Sequence, residues 1–213
     1  MSAPTHIVWD WNGTLLDDTT AALRALNRML RRRELAEIDL AFYRARFSFP
    51  VNPFYAAIGI NPECEDWDAI AVEYHANYAE EAKRLNVGAL AALEMARCAG
   101  ARQSILSVHR QDLLVRDAVA YGVAGYMTEI VGTDNLYGAS KRDRAQVLAA
   151  KIRRDDPSVR LVLIGDALHD FEVARAVGAD CVLFGGGSHA AERLAVVAPV
   201  GATLSESVRL ALA

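Results

Sequence analysis

The chain has 213 residues, 53% hydrophobic and 23% charged, with a formal net charge of −4, which suits one compact domain, or one carrying a smaller inserted domain, around a substantial apolar core. Cys64, Cys98 and Cys181 form no Cys-x-x-Cys pair, so neither a disulfide framework nor a zinc site is expected, and a reducing, cytoplasmic setting fits. The basic run Arg31 to Arg33 stands alone, the start MSAPTHIVWD has no signal-like apolar region, and no apolar stretch reaches the roughly 18 residues of a membrane span, so nucleic acid and membrane are both excluded as expected partners.

Residues 5–9 (THIVW) form an apolar run of strand length, followed by Asp10 and the turn formers Asn12, Gly13 and Thr14. From Asp17 onward Ala22, Leu23, Leu26 and Leu30 recur at helical spacing, with Asp18 or Thr19 as the N-cap. Between about 35 and 64, Pro50, Pro53 and Pro62 break an aromatic-rich stretch into short helices. Helical period returns over 66–86. After Gly88 the pattern alternates: helix 89–98, strand 103–107, helix 110–120, strand 127–131, helix 140–154, strand 160–164, helix 169–177 and strand 181–184. Strands separated by helices of this length imply βαβ units and a parallel sheet. The expected architecture is therefore α/β, a doubly wound, Rossmann-like parallel sheet core made by 1–17 and 85–213, with a small all-helical cap domain, 18–84, inserted after the first strand. GGGS at 185–188 lacks the spacing of a nucleotide loop and reads as a turn before a helix.

Four polar points sit just past an apolar strand or at a helix start: Asp10, Ser107, Lys141, and the pair Asp166 and Asp170 in LVLIGDALHD. In a doubly wound sheet the carboxyl ends of parallel strands share one edge, so these residues can converge. Three carboxylates with a lysine and a serine describe a place for magnesium and a phosphate. Asp10 is then the candidate nucleophile, able to take a phosphoryl group as an aspartyl-phosphate.

Those residues carry a resemblance. DWNGTLLDD, SILS ending at Ser107, Lys141 in GASKRDRAQVL, and GDALHD resemble, in order, the four motifs of the haloacid dehalogenase superfamily, and the chain is similar to its phosphoglycolate phosphatase-like members with a helical cap. The resemblance implies a phosphoric monoester hydrolase that uses Mg2+. It implies that Asp10 is nucleophile and metal ligand, that Asn12 offers its backbone carbonyl to the metal, and that Asp166 is the other carboxylate ligand. It further implies that Ser107 holds a phosphate oxygen, Lys141 bridges nucleophile and phosphate, Asp170 orients Lys141 or the metal's waters, and Gly13 and Thr14 shape the turn around the phosphate.

Asn12 departs from the family, whose phosphatases usually carry an aspartate there to protonate the leaving oxygen and then activate water. Asparagine keeps the carbonyl and the hydrogen bonds but exchanges no proton near neutral pH. The loss of a positioned acid or base costs roughly 10²- to 10⁴-fold, small against the acceleration a phosphatase supplies, which can exceed about 10¹⁵-fold. A slow phosphatase acting on a small phosphorylated metabolite, as monomer or homodimer, is the leading expectation. A catalytically weak relative that binds a phosphorylated ligand or a partner protein is the alternative. A phosphonate hydrolase would need a cap lysine, and Lys83 at the exit of the insert is a poor fit; a dehalogenase would need no metal.

His109 and His169 are weaker candidates for a substitute proton carrier. Phe42, Tyr43, Phe47, Phe49, Phe54 and Tyr55 read first as the core of the cap and only second as a substrate pocket. Arg44 and Arg46 read first as solvated, and only second as a grip on a substrate carboxylate.

Overall fold

The computed structural model describes residues 3–61, 64–134 and 141–213; Pro62 and the Gly-Ala-Ser before Lys141 lie outside the described residues. The chain runs β1 (Thr5–Trp9), β2 (Leu16–Asp17), α1 (Thr19–Arg32), α2 (Leu40–Arg46), α3 (Asn52–Ala57), α4 (Trp67–Ala79), β3 (Arg84–Leu85), α5 (Ala89–Cys98), β4 (Arg102–Arg110) and α6 (Gln111–Ala120). It continues through β5 (Glu129–Thr133), α7 (Lys141–Asp155), β6 (Arg160–Gly165), α8 (Leu168–Ala176), β7 (Asp180–Phe184), α9 (Ala191–Leu194), β8 (Val200–Gly201) and α10 (Leu204–Leu212).

Among the described residues, six parallel strands pair in the order β5-β4-β1-β6-β7-β8. The first strand of the sequence is thus central, with Ile7 opposite Gln103 on one side and Val162 on the other. Side chains alternate across a strand, and β1 uses both faces. Ile7 and Trp9 pack with Ala92 of α5, Leu114 of α6 and Val208 of α10, while Val8 packs with Leu148 of α7 and Val173 of α8. The sheet is covered on both faces, as a parallel sheet requires, and the α/β fold expected from the alternation is present.

Helices α1 to α4 form a separate apolar cluster in which Leu23, Leu26, Met29 and Leu30 meet Tyr43, Phe54, Tyr55, Ile60 and Ile70. The margins of this insert are not helical. β2 and β3 pair antiparallel, Leu16 with Leu85 and Asp17 with Arg84, and α4 ends at Ala79, not 86, because the chain must turn back into this ribbon. Strands of two residues leave no periodic trace in a sequence, and the same holds for β8. β5 begins at Glu129, later than expected, because Ala124–Tyr126 make a single 3-10 turn first. The Arg31 to Arg33 run is not simply solvated: Arg33 is largely buried and pairs with Glu65 at 2.6 Å and Glu73 at 2.8 Å. No helix of the described residues is long and apolar enough to cross a membrane.

Candidate active site

At the carboxyl end of β1, Asp10 still donates its backbone N–H to Ile164 of the neighbouring strand at 2.8 Å. The chain then turns sharply, with Leu16 N–H on the Trp11 carbonyl at 2.9 Å and Gly13 N–H on the Leu16 carbonyl at 3.0 Å. Gly13 has φ +77°, and a Cβ there would lie 2.3 Å from Asp166 Oδ2. Only glycine meets both demands. Gly187 approaches the same carboxylate as closely.

The turn brings Asp10 beside Asp166 and Asp170, all buried, with one carboxylate oxygen from each within 4.8 Å of the others. Asp166 follows β6, and its Oδ1 accepts from Thr14 Oγ1 at 2.9 Å while Oδ2 accepts from Ser188 N–H at 2.6 Å. Asp170, in the first turn of α8, reaches back to the N–H groups of Asp166 and Ala167 at 3.1 and 3.0 Å, which pins the helix start. Lys141, the first residue of α7, is buried and donates to Asp10 Oδ1 and, at 2.7 Å, to Asp170 Oδ1. Three carboxylates therefore face a single ammonium, an excess of negative charge in a dry place.

The titrations report that excess. Burial pushes the Asp10 carboxyl well above the usual range, with repulsion from Asp170 and Asp166 opposing the help of Lys141. Burial and Asp170 push Asp166 up to about 7. Burial acts on Asp170 in the same sense, but the charge and hydrogen bond of Lys141 and the Ala167 N–H outweigh it and hold this carboxyl below its usual value. Burial disfavours the Lys141 ammonium, yet Asp10 and Asp170 make it hold its proton more firmly than a free lysine. A divalent cation of the kind that takes carboxylate oxygens fits this donor set.

Ser107 lies in β4, where the pairing with β5 becomes irregular between Leu106 and Arg110. Its Oγ accepts from His109 N–H at 3.0 Å and donates to Asn12 Oδ1 at 3.3 Å. The structure thus gathers Asp10, Asn12, Gly13, Ser107, Lys141, Asp166 and Asp170 at one sheet edge.

Asn12 has partners that the sequence did not point to. Its Nδ2 donates to Asp18 Oδ2 at 2.6 Å and to Tyr78 Oη at 3.1 Å. Asp18 also accepts from Gly13 N–H at 2.6 Å and from the Tyr78 hydroxyl at 2.5 Å. Asp18 occupies the N-cap position of α1, as expected, but its side chain caps nothing; it turns inward instead. Burial raises its carboxyl pKa against the hydrogen bonds from Tyr78, Asn12 and Gly13. An acceptor beside the Asn12 NH₂ leaves Oδ1 facing Ser107. The doublet Asp17-Asp18 was the available signal, one carboxylate more than a helix start needs.

Above the carboxylates is a cavity of about 180 Å³ that Asp10, Asn12, Asp18, Lys141, Asp166 and Asp170 share with aromatic residues of the insert. Tyr43, Phe47, Phe49, Phe54 and Tyr55 border it while also packing among themselves, so their first reading as cap core alone is incomplete. Phe42 is 40% exposed and takes no part. Arg44 donates to the Gly187 and Gly186 carbonyls at 2.9 Å each, Arg46 is exposed, and neither borders the cavity. His109 and His169 do border it; His109 sits 3.4 Å from Asp117, with burial lowering its pKa, and His169 sits 3.4 Å from Glu172. Lys83 donates to the backbone carbonyls of Tyr78 and Glu81 at 2.7 Å and is not among the lining residues.

The profile of the haloacid dehalogenase-like hydrolases matches residues 7–184. The chain belongs to this family. Among its relatives are the tyrosine-protein kinases PtkA of Mycobacterium tuberculosis and Mycobacterium bovis, 26% identical over 193 residues, 87% of this chain and 63% of theirs. The chain thus spans less than two thirds of the length of these curated relatives. The solved structure of Mycobacterium tuberculosis PtkA is similar with a TM-score of 0.77 at 25% identity, covering 100% of this chain and 99% of that one. A predicted phosphatase from Clostridium acetobutylicum shares the fold, with a TM-score of 0.77, 17% identity and coverage of 100% and 99%. Another haloacid dehalogenase-like hydrolase, from Streptococcus pneumoniae, has a TM-score of 0.77 at 18% identity over 99% of both chains.

Proposed function

We propose that this hydrolase is a magnesium-dependent phosphatase that cleaves a small phosphorylated substrate through an aspartyl-phosphate on Asp10. Residues 1–17 and 85–213 make its catalytic core domain, and 18–84 the cap that closes over the site. The reading rests on one observation, the buried cluster of Asp10, Asp166 and Asp170 around Lys141. A site for binding alone has no need of so much uncompensated buried charge.

A magnesium ion held by Asp10, Asp166 and the Asn12 backbone carbonyl, with Asp170 behind its waters, would neutralise charge on the phosphoryl oxygens and keep Asp10 ionised. Asp10 attacks phosphorus, the bond to the leaving oxygen breaks, and that oxygen keeps the electron pair. Lys141 holds Asp10 in place through its hydrogen bond, is itself held by Asp170, and offers positive charge to the developing transition state. Ser107 and the backbone around Gly13 receive the remaining phosphate oxygens. Water then hydrolyses the aspartyl-phosphate and regenerates Asp10. Asn12 carries no proton, and its amide hydrogens go to Asp18 and Tyr78, so both steps run without acid or base help at that position.

The test is phosphate release from phenyl phosphate, with magnesium or with chelator, by the native protein and by Asp10→Ala. Release that needs both magnesium and Asp10 supports the reading. Asn12 favours a second reading, a weak relative that binds a phosphorylated ligand without turnover, and absence of release under all conditions would select it.

A further inference from the structure

The floor of the cavity handles a phosphoryl group; the roof has a different chemistry. Tyr43 stacks on Phe47 with centroids 4.8 Å apart at 15°, Phe54 stands edge-on to both at 5.9 and 5.4 Å, and Trp67 leans on Tyr55 at 5.8 Å. All five rings border the cavity, with Tyr74 beside them. Among the described lining residues Lys141 is the one lysine or arginine, and Asp10 and Asp170 already hold its ammonium. The two internal undescribed stretches, Pro-Glu at 62–63 and NLYGAS at 135–140, contain no basic residue. The arginines at the seam between insert and core are engaged elsewhere: Arg44 on glycine carbonyls and Arg193 on the Phe47 carbonyl at 2.7 Å. A leaving group with its own carboxylate or second phosphate would be desolvated against rings with no further lysine or arginine to meet it, and of the lining histidines, His75, His109 and His169, the last two already face Asp117 and Glu172.

Size and leaving-group chemistry point the same way. An apolar cavity of about 150 Å³ takes up benzene, so the cavity of about 180 Å³ has room for one ring. Asn12 cannot protonate a departing oxygen, so a leaving group stable as an anion is favoured over a poor one. A phenol, with a pKa of about 10, satisfies that; an aliphatic alcohol, close to water at about 15.7, does not.

We propose that the substrate is a small aryl phosphate monoester, with its ring among Tyr43, Phe47, Phe54, Tyr55, Trp67 and Tyr74 and its phosphoryl group on Asp10. This rests on the phosphatase reading above and names its substrate class. Asp10 forms the bond to phosphorus, the aryl oxygen leaves with the bonding pair as phenolate, and the phenolate takes its proton from solvent. Water attacks the aspartyl-phosphate to release inorganic phosphate.

The experiment uses the native protein with magnesium, four esters, phenyl, benzyl and ethyl phosphate and 2-phosphoglycolate, and one acyl phosphate, acetyl phosphate. Ring recognition predicts KM for phenyl and benzyl phosphate at least about tenfold below that for ethyl or acetyl phosphate. The absent proton donor predicts kcat for phenyl phosphate at least about 10²-fold above that for benzyl phosphate. In parallel, calorimetry compares phenylphosphonate with methylphosphonate, which bind without turnover; at least tenfold tighter binding of the aryl compound is expected. Lowest KM for 2-phosphoglycolate, equal affinity for the two phosphonates, or a phosphotyrosyl peptide cleaved with higher kcat/KM than phenyl phosphate overturns the proposal. Tight phenylphosphonate binding with no turnover of any ester defeats the phosphatase reading and leaves the ring site standing. Turnover with equal KM for phenyl and ethyl phosphate does the reverse.

Discussion

The floor and the roof of the cavity are built by opposite rules. The floor is charged, buried and hydrogen-bonded at nearly every atom: Asp170 alone accepts from two backbone N–H groups and from Lys141. The roof is a pack of rings held by shape, on helices of seven, six and thirteen residues. In the proposed phosphatase the floor would carry generic phosphoryl chemistry with fixed geometry. The roof would then decide what is attached to the phosphoryl group.

The largest expected effect tests the floor. Asp10→Ala removes the proposed nucleophile, and phosphate release from phenyl phosphate should fall by about 10⁴-fold or more. Residual release within tenfold of the native rate would show that Asp10 is not the nucleophile. The alanine variant also relieves buried repulsion, so its melting temperature without magnesium should not fall with its activity.

Asn12→Asp tests how floor and roof are matched. A carboxyl at Asn12 restores a proton carrier beside the leaving oxygen, and that matters most when the leaving group is a poor one. Turnover of ethyl phosphate should rise by about 10²-fold or more, with a much smaller gain for phenyl phosphate. Equal gains, or none, would sink the idea that Asn12 tunes the site for stable leaving anions. Asp18 complicates the variant in a readable way. It would then sit about where a hydrogen-bond partner sits now, 2.6 Å away, so one of the two carboxyls must carry a proton, and Asn12→Asp with Asp18→Asn should gain more than the single change.

Much of the floor was legible because each residue follows an element that the pattern marks: Asp10 after an apolar run, Asp166 and Asp170 after another, Lys141 before a helical one. Convergence then follows from the parallel sheet. Asp18 and Tyr78 were not legible, because 60 residues separate them and each fits its own helix without comment. Nor was the split among the aromatics. Helices of six or seven residues are too short for periodicity to say which face a Phe42 or a Phe47 presents, so the first faces solvent and the second the cavity. The last helix carries a sequence signal of its own: Thr203 and Glu206 stand at the spacing of a capping box, Thr203 Oγ1 accepts from Glu206 N–H at 3.1 Å, and α10 follows.

Magnesium should stabilise the protein in a pH-dependent way. Asp10 and Asp166 have folded pKa values raised above the unfolded ones, Asp166 to about 7. A carboxyl raised on folding binds more protons folded than unfolded between the two values, so it weakens the fold as pH climbs through that window. For Asp166 that window runs from the model-peptide value of 3.8 to about 7. Metal binding needs both groups ionised and removes the penalty. The rise in melting temperature on adding magnesium should therefore be largest near pH 8, with up to about 2.7 kcal/mol available at a hundredfold excess over Kd, and should shrink towards pH 5. A shift that is the same at both pH values would place the metal away from these carboxylates.

The smallest effect probes the joint between the two regions. Tyr78 belongs to α4 in the insert, yet its hydroxyl donates to Asp18 at 2.5 Å and accepts from Asn12 at 3.1 Å. Tyr78→Phe keeps the ring that stacks on Tyr74 and deletes only the oxygen. Asp18 keeps the Asn12 and Gly13 donors, so the loss in stability should be about 1–3 kcal/mol, the range for a buried hydrogen bond to a carboxyl. KM for phenyl phosphate should stay within about twofold, because the ring site is intact, while kcat drops by a few fold as the Asn12 amide loses one of the partners that fix its orientation. If KM moved and kcat did not, Tyr78 would belong to the roof alone, and the orientation of Asn12 would be set entirely by Asp18.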